Sequence, residues 1–448
     1  MSGPTENRPT ENRPTENRQP PEPVLEELPG DRLRVRVAGQ EFVVGASCPH
    51  RKGRLVHGYV NPRTLRISCP LHHSTFDLAT GCPAGGPTEE SLPVYRAGVW
   101  PGYYRAEEVW LPASEQLLDW GEEFHELMLG DDLRMAAFKT AVTEAVRPGD
   151  TVLDLGTGTG ILALWALEAG AAKVYGIDLN EKVLDAAVER LGAAGFADRF
   201  EPLLGLSFDL ELPERVDIVI SEIMGNLADN ENFSAILDDA RTRFLRPGGL
   251  MLPRVVDSFL VPVAAEEAHA QLAGEGPRDA GGPEAFADLL AARGAKDPYA
   301  LYYDVILPVA GHLASPRLVR HYEPERPEAT PTSYDVPLVY TVQRDGVLTG
   351  FKGYFAARLS ETVALDISGD DIAGRTTSDS WKHCYLPIER PVRVRRGDRI
   401  AMTLARAAGR DGSPFGQTYT WKGRVLSGTR VVAEFDHSTG TAETAPPD

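Results

Sequence analysis

The chain has 448 residues, 42% of them hydrophobic, with a formal net charge of −19 and four cysteines, a length that holds roughly two to four domains with cores of their own. The acidic balance argues against a nucleic-acid partner and suits a cationic substrate, and so few cysteines do not make a secreted disulfide framework. No apolar run is long enough to span a bilayer and no apolar N-terminal segment suggests secretion, so a soluble, cytoplasmic protein with no membrane partner is expected.

Residues 1–22 repeat Pro-Thr-Glu-Asn-Arg three times, at Pro4–Arg8, Pro9–Arg13 and Pro14–Arg18. With no apolar face to bury, the segment reads as a disordered tail.

Residues 23–112 carry Cys48-Pro49-His50 and, eighteen residues on, Cys69-Pro70-Leu71-His72. Two thiolates and two imidazoles in that order suit a [2Fe–2S] cluster with the cysteines on one iron and the histidines on the other. Zinc is the other metal that takes this donor set. The surroundings, Cys48 to Gly53 and His73-Ser74-Thr75-Phe76-Asp77, resemble the two cluster loops of Rieske ferredoxins. The resemblance implies an all-β domain whose cluster ligands are Cys48, His50, Cys69 and His72. His73 stands where that family often has glycine. Cys82 and Cys384 are left over as spare thiols.

Residues 113–252 open with a stretch expected to be a helix over Gly121–Ala137, then turn at Arg147-Pro148-Gly149-Asp150, and Arg246-Pro247-Gly248-Gly249 is read as a hairpin-like exit from the sheet. The run Val152-Leu153-Asp154-Leu155 passes into Gly156-Thr157-Gly158-Thr159-Gly160 and an apolar helix. A second apolar run, Val174-Tyr175-Gly176-Ile177, ends at Asp178, and a third, Val216 to Ser221, ends at Glu222, with Glu231 nine positions on. Alternating strands and helices of this kind read as a doubly wound parallel sheet with its ligand at the strand C-termini. Glycines at 156, 158 and 160 let backbone approach a ligand closely. The third glycine comes one residue earlier than in dinucleotide binders, which favours S-adenosylmethionine (SAM) over NAD. Asp154 then belongs to the cofactor site, and Asp178 accepts from the ribose diol.

Ser221-Glu222-Ile223-Met224-Gly225, closing at Glu231, resembles the double-glutamate loop of protein arginine methyltransferases. His125-Glu126-Leu127-Met128-Leu129-Gly130-Asp131-Asp132-Leu133-Arg134 is similar to that family's segment covering SAM. The resemblance implies that Arg134 pairs with the SAM carboxylate, Met128 packs near the sulfonium, and Asp209 lies near adenine. The family's aromatic lid is not recognisable, Trp120 and Phe124 being the nearby aromatics. Chemically, a guanidinium stays protonated at ordinary pH and is repelled by a sulfonium. Two carboxylates, Glu222 and Glu231, would offset both charges and grip it by planar, charge-assisted hydrogen bonds.

From 253 to 437 short β-type runs alternate with turn residues, predicting a sandwich or barrel; 438–448 reads as a second tail. The arginine methyltransferases carry a β-barrel here, and residues 265–304 match in position their helical dimerisation arm, which implies a homodimer. Ser378-Asp379-Ser380-Trp381 is similar to the family loop lining the arginine pocket. Trp381 is kept, and the loop's histidine is replaced by Ser380. His383 is expected to face solvent or a strand neighbour, with compensation for the missing loop histidine as the other option.

The reading is therefore a multidomain α/β plus β protein. It has an N-terminal all-β Rieske domain, a Rossmann-like SAM methyltransferase domain and a C-terminal β-barrel with a helical arm. Its expected activity is methyl transfer to a guanidino nitrogen, with free L-arginine in a biosynthetic pathway preferred over an arginine-containing peptide because the pocket loop is altered. An iron–sulfur electron-transfer or interaction protein with an inactive methyltransferase domain is the alternative from another class. A Rieske oxygenase is set aside, because the ten histidines include no two-histidine, one-carboxylate iron pattern. The cluster domain is expected to be a structural or docking module, with redox sensing as the other option.

Overall fold

The computed structural model describes residues 23–28, 31–79, 81–88, 91–94, 109–110, 128–272, 297–326, 331–371, 374–378, 380–408 and 417–439. The expected tails, His125 and Glu126, Trp120 and Phe124, Asp379 and most of the arm (273–296) lie outside these. The chain divides into two compact units, Met1–Val94 and Tyr95–Asp448. This boundary falls before the expected 112, because strand β8 (Val109–Trp110) pairs with a C-terminal strand.

In the first unit β1 (Val24–Leu28), β2 (Arg32–Val37) and β3 (Gln40–Gly45) form one antiparallel sheet. β4 (Tyr59–Asn61), β5 (Arg66–Ser68), β6 (Thr75–Asp77) and β7 (Pro83–Gly85) form another. Alternation along β2 buries Leu33, Val35 and Val37, which share a core with Phe42, Val44, Ile67 and Phe76. Cys48 and Cys69 belong to that core.

The second unit contains a five-stranded parallel sheet in the order β11 (Phe200–Leu204), β10 (Lys173–Asp178), β9 (Thr151–Leu155), β12 (Val216–Ser221), β13 (Leu245–Leu252). The near-continuous apolar texture of β9 and β12 follows from burial on both faces by helices. These are α1 (Asp132–Ala145), α2 (Ile161–Glu168), α3 (Glu181–Ala193) and α4 (Phe233–Arg243). The chain leaves β9 for β10 on one side and returns to β12 on the other, so the topological switch point lies between β9 and β12. The Ser221 hydroxyl donates to the Leu155 carbonyl at 2.7 Å and ties those two strand ends together.

Two local expectations are corrected. The helix expected over Gly121–Ala137 is, among the described residues, broken before Asp132 and runs on to Ala145; the Asp131 carboxylate caps it by accepting from the Arg134 amide. Arg246–Gly249, read as the turn leaving the sheet, lies inside β13, where the pairing with β12 jumps from Leu245 to Leu250. An edge strand tolerates the bulge and its proline.

Two antiparallel sheets follow. One has the order β16 (Arg317–Tyr322), β14 (Val255–Val263), β18 (Gly346–Arg358), β20 (His383–Val394), β15 (Tyr302–Val305), β8, with β19 (Ala364–Asp366) on β18. The other is β17 (Tyr334–Thr341), β21 (Arg399–Ala408), β22 (Gln417–Ser427), β23 (Arg430–Ser438). Tyr340, Phe351, Leu386, Leu404, Tyr419 and Trp421 from both sheets form one core. A short helix, α5 (Glu266–Leu272), opens the expected arm. No helix among the described residues is long and apolar enough to cross a membrane.

Candidate active site and candidate iron–sulfur site

The C-terminal ends of β9, β10 and β12 open onto one cavity, lined by Met128, Arg134, Gly156–Thr159, Asp178, Ser207, Glu222 and Glu231 among others. Gly156, Gly158 and Gly160 have φ of 74°, 54° and 76°, a left-handed conformation costly for any residue with a Cβ. A Cβ on Gly156 would also stand 2.7 Å from the Ile223 side chain. Asp178 holds the loop by accepting from the Gly158 amide at 2.8 Å through one oxygen, and from the Asn180 amide at 2.9 Å through the other.

Two expected cofactor residues are placed elsewhere. Asp154 is fully buried behind the glycine loop, where it accepts from the Thr157 hydroxyl at 2.7 Å and the Ala163 amide at 3.0 Å. It braces the loop and does not line the cavity; burial pushes its carboxyl up to about 7. Asp209 sits exposed on the turn Ser207–Asp209, and its neighbours Gly205, Leu206 and Ser207 line the cavity instead.

On the opposite wall Arg134 forms an ion pair with Glu222. The Arg134 guanidinium lies 5.0 Å from the centroid of the Trp381 ring, within cation–π range. Its Nε is buried without a hydrogen-bond partner, and burial lowers its pKa to about 10. Glu231 is 6% exposed and accepts no hydrogen bond among the described residues. Burial, opposed only in part by Arg134, pushes its carboxyl up to about 7. The site thus gathers two carboxylates, one guanidinium and an aromatic face, with one carboxylate unpaired.

Trp381 is anchored as well as stacked: its indole N–H donates to the Met224 carbonyl at 2.6 Å, and its ring meets Phe355 edge-on at 5.0 Å. Ser380 donates to Asp131 at 2.8 Å, and the Ser378 hydroxyl reaches the same carboxylate oxygen. Asp131, quoted within the SAM-covering segment but given no role from the sequence, therefore joins the α1 cap to the loop carrying Trp381. His383 is fully buried within β20 and does not face solvent: Nδ1 accepts from the Leu307 amide at 2.9 Å and Nε2 donates to the Ile367 carbonyl at 2.8 Å. It does not substitute for the missing loop histidine.

In the first unit Cys48 and Cys69 are buried, and the rings of His50 and His72 stand edge-to-face with centroids 4.9 Å apart. The two loops repeat one turn: Lys52 N–H donates to the Cys48 carbonyl at 2.8 Å, and His73 N–H to the Cys69 carbonyl at 3.1 Å. Lys52 and His73 both take left-handed φ, 54° and 59°, so His73 keeps the backbone conformation that glycine would adopt freely. His50 Nδ1 is buried without a partner, and a Cβ on Gly53 would stand 2.9 Å from Cys69 Sγ. The donor set fits a two-iron cluster. Among the described residues no group of three or more His, Cys, Asp or Glu is gathered closely enough to hold a single metal ion.

Comparison with known proteins agrees with both halves. Residues 18–96 match the Rieske [2Fe-2S] domain, residues 152–249 a methyltransferase domain, and residues 256–415 the PRMT5 oligomerisation domain. The ribosomal protein arginine N-methyltransferase rmt3 of Schizosaccharomyces pombe is 29% identical over 302 residues, 64% of this chain and 53% of that protein. Protein arginine N-methyltransferase PRMT10 of Arabidopsis thaliana is 40% identical over 138 residues, 30% of this chain and 36% of that one. The chain thus spans about half, or less, of the length of these curated relatives. Among solved structures, Arabidopsis thaliana protein arginine methyltransferase 10 aligns with a TM-score of 0.59 at 21% identity, covering 71% of this chain and 98% of that one. The Trypanosoma brucei PRMT1 enzyme–prozyme heterotetrameric complex with AdoHcy aligns equally well at 19% identity, and both establish the fold. The first unit is thus similar to Rieske [2Fe-2S] domains and the second to the protein arginine methyltransferases, and the cofactors expected from those likenesses, a [2Fe–2S] cluster and SAM, stand.

Proposed function

We propose that the second unit methylates a guanidino nitrogen of arginine, with Glu222 and Glu231 as the clamp. The observation that carries this reading is the unpaired, buried carboxylate of Glu231 facing an Arg134–Glu222 pair across the SAM-type cavity. A carboxylate left without a partner in low dielectric is costly unless a cation completes it. A guanidinium supplies that cation and presents two N–H groups in one plane to the acid. Bound SAM supplies the electrophilic methyl group.

The chain's own residues do the rest. The glycine loop and Asp178 shape the floor, and Arg134, with Nε free to donate, would meet the SAM carboxylate. Glu222 and Glu231 would hold the guanidinium so that one nitrogen points along the line of transfer, which supplies rate by positioning. Glu231, whose carboxyl titrates near neutrality, is placed to receive the proton the methylated nitrogen releases.

Two substrate forms remain. The curated relatives are named as protein arginine N-methyltransferases, which supports arginine in a polypeptide. Ser380 in place of the loop histidine, bonded inward to Asp131, supports free L-arginine. In the first unit Cys48, His50, Cys69 and His72 would hold the cluster.

The test is mass spectrometry of iron-loaded protein with SAM, offered free L-arginine and an Arg/Gly-rich peptide side by side. Methylation of either, lost in Glu222→Gln, supports the reading and names the substrate. Methylation of neither, with SAM bound, refutes it.

A further inference from the structure

Resting on that reading of the clamp, we propose that Asp229, two residues before Glu231, is a positioning residue. It fixes the Glu231 carboxylate by fastening the second half of the double-glutamate loop to the C-terminal sheets. Asp229 is 1% exposed and does not line the cavity, so any effect on chemistry passes through Glu231.

Its two oxygens are used separately: one accepts from the Tyr322 hydroxyl at 2.7 Å, the other from the Tyr419 hydroxyl at 2.5 Å. Arg406 Nε lies 3.6 Å from the same carboxylate. Burial pushes both phenols well above their ordinary pKa, so they remain protonated donors.

The neighbours of Glu231 are held the same way. Arg406 also donates to the Asn232 side chain at 2.8 Å and to Gln417 at 2.9 Å, and Gln417 donates to the Asn230 carbonyl. Residues 229, 230 and 232 are thus tied to β16, β21 and β22, while the side chain between them, Glu231, is left free to face the cavity.

The backbone shows why such fastening is needed. Asp229–Glu231 is a single 3-10 turn between Ala228 at φ 69°, ψ −69° and Asn232 at φ 61°, ψ 22°. Asn232 takes the left-handed conformation that asparagine tolerates, but that of Ala228 is sparsely populated for a residue with a Cβ and persists only where the surroundings over-determine it. The bonds to Asp229 and Asn232 are that over-determination. Without them the turn relaxes, and Glu231 moves off the line it must hold against the guanidinium.

The experiment compares Asp229→Asn and the near-isosteric Tyr322→Phe with wild type and with Glu231→Gln. It uses the full chain, the arginine substrate that is turned over, and S-adenosylhomocysteine as the cofactor-site probe. Expected are a kcat reduced about tenfold to hundredfold and a raised KM for arginine, with S-adenosylhomocysteine affinity within about twofold of wild type. Wild-type kcat and KM in both variants overturn the proposal, as does a parallel loss of S-adenosylhomocysteine binding, which would mark general unfolding. A fully active Glu231→Gln overturns the clamp reading itself. An inactive Glu231→Gln beside fully active Asp229→Asn and Tyr322→Phe overturns the positioning role alone.

Discussion

Replacing Glu231 with glutamine should stabilise the protein above neutral pH while removing its activity. The carboxyl is 6% exposed, and burial raises it from an ordinary value of 4.5 to about 7. In the unfolded chain the proton leaves near the ordinary value; in the folded chain it is kept until about 7. Between those values the folded state binds more protons, so stability falls as pH rises through this window and stays lower above it. The difference corresponds to roughly 3 kcal/mol at pH 8, an upper figure because the glutamine amide must also be accommodated. Below about pH 4.5 the acid is neutral in both states, so the advantage of the variant disappears. Thermal melting of wild type and Glu231→Gln at pH 4.5 and pH 8 isolates this carboxyl from Asp154, which burial also raises and which is present in both proteins. In parallel, wild-type kcat/KM for arginine should fall about tenfold per pH unit below 7, because only the ionised form completes the clamp. A variant no more stable than wild type at pH 8, or a flat kcat/KM from pH 5.5 to 8, would refute the account of Glu231 as a buried acid that Arg134 compensates only in part and a bound cation would complete.

Three further outcomes are expected. Asp154→Asn should leave S-adenosylhomocysteine binding within about twofold by calorimetry, since the Thr157 hydroxyl and the Ala163 amide both donate to one oxygen and an amide oxygen accepts both, whereas Asp154→Ala, which removes that acceptor, should weaken it about tenfold. Cys69→Ser should abolish the visible absorption of the [2Fe–2S] cluster after anaerobic iron loading, whereas His73→Gly should keep it and raise the melting temperature slightly by relieving a left-handed residue at φ 59°. Sedimentation at micromolar concentration should give twice the chain mass, consistent with the match of residues 256–415 to an oligomerisation domain; a monomer would refute the dimer.

Much of this was legible because it is local. The glycines at 156, 158 and 160 announce a backbone conformation, and β9, β10 and β12 show as apolar runs ending at the residues that face the cavity. Their spacing alone brings Asp178 and Glu222 to the same end of one sheet. What was not legible depends on which way a side chain turns once the sheet forms. Asp154 was read as a ligand contact because it precedes the glycines, yet an inward-facing strand residue is buried behind them and bonds Thr157 and Ala163. Asp209 was carried over by position, yet its turn directs it to solvent and leaves Ser207 on the cavity.

Long-range partners were the least visible. Asp131 reaches a loop some 250 positions away, and Asp229 meets Tyr419 across 190 residues; nothing in a single sequence couples such pairs. Yet these pairs decide how the site is built. The parallel sheet supplies the cavity floor and both ends of the double-glutamate loop, but the geometry of Glu231 and the stacking of Trp381 are set from the antiparallel sheets. The two architectures therefore both contribute residues to one candidate site. A separated 128–252 fragment should keep the glycine loop and lose the clamp.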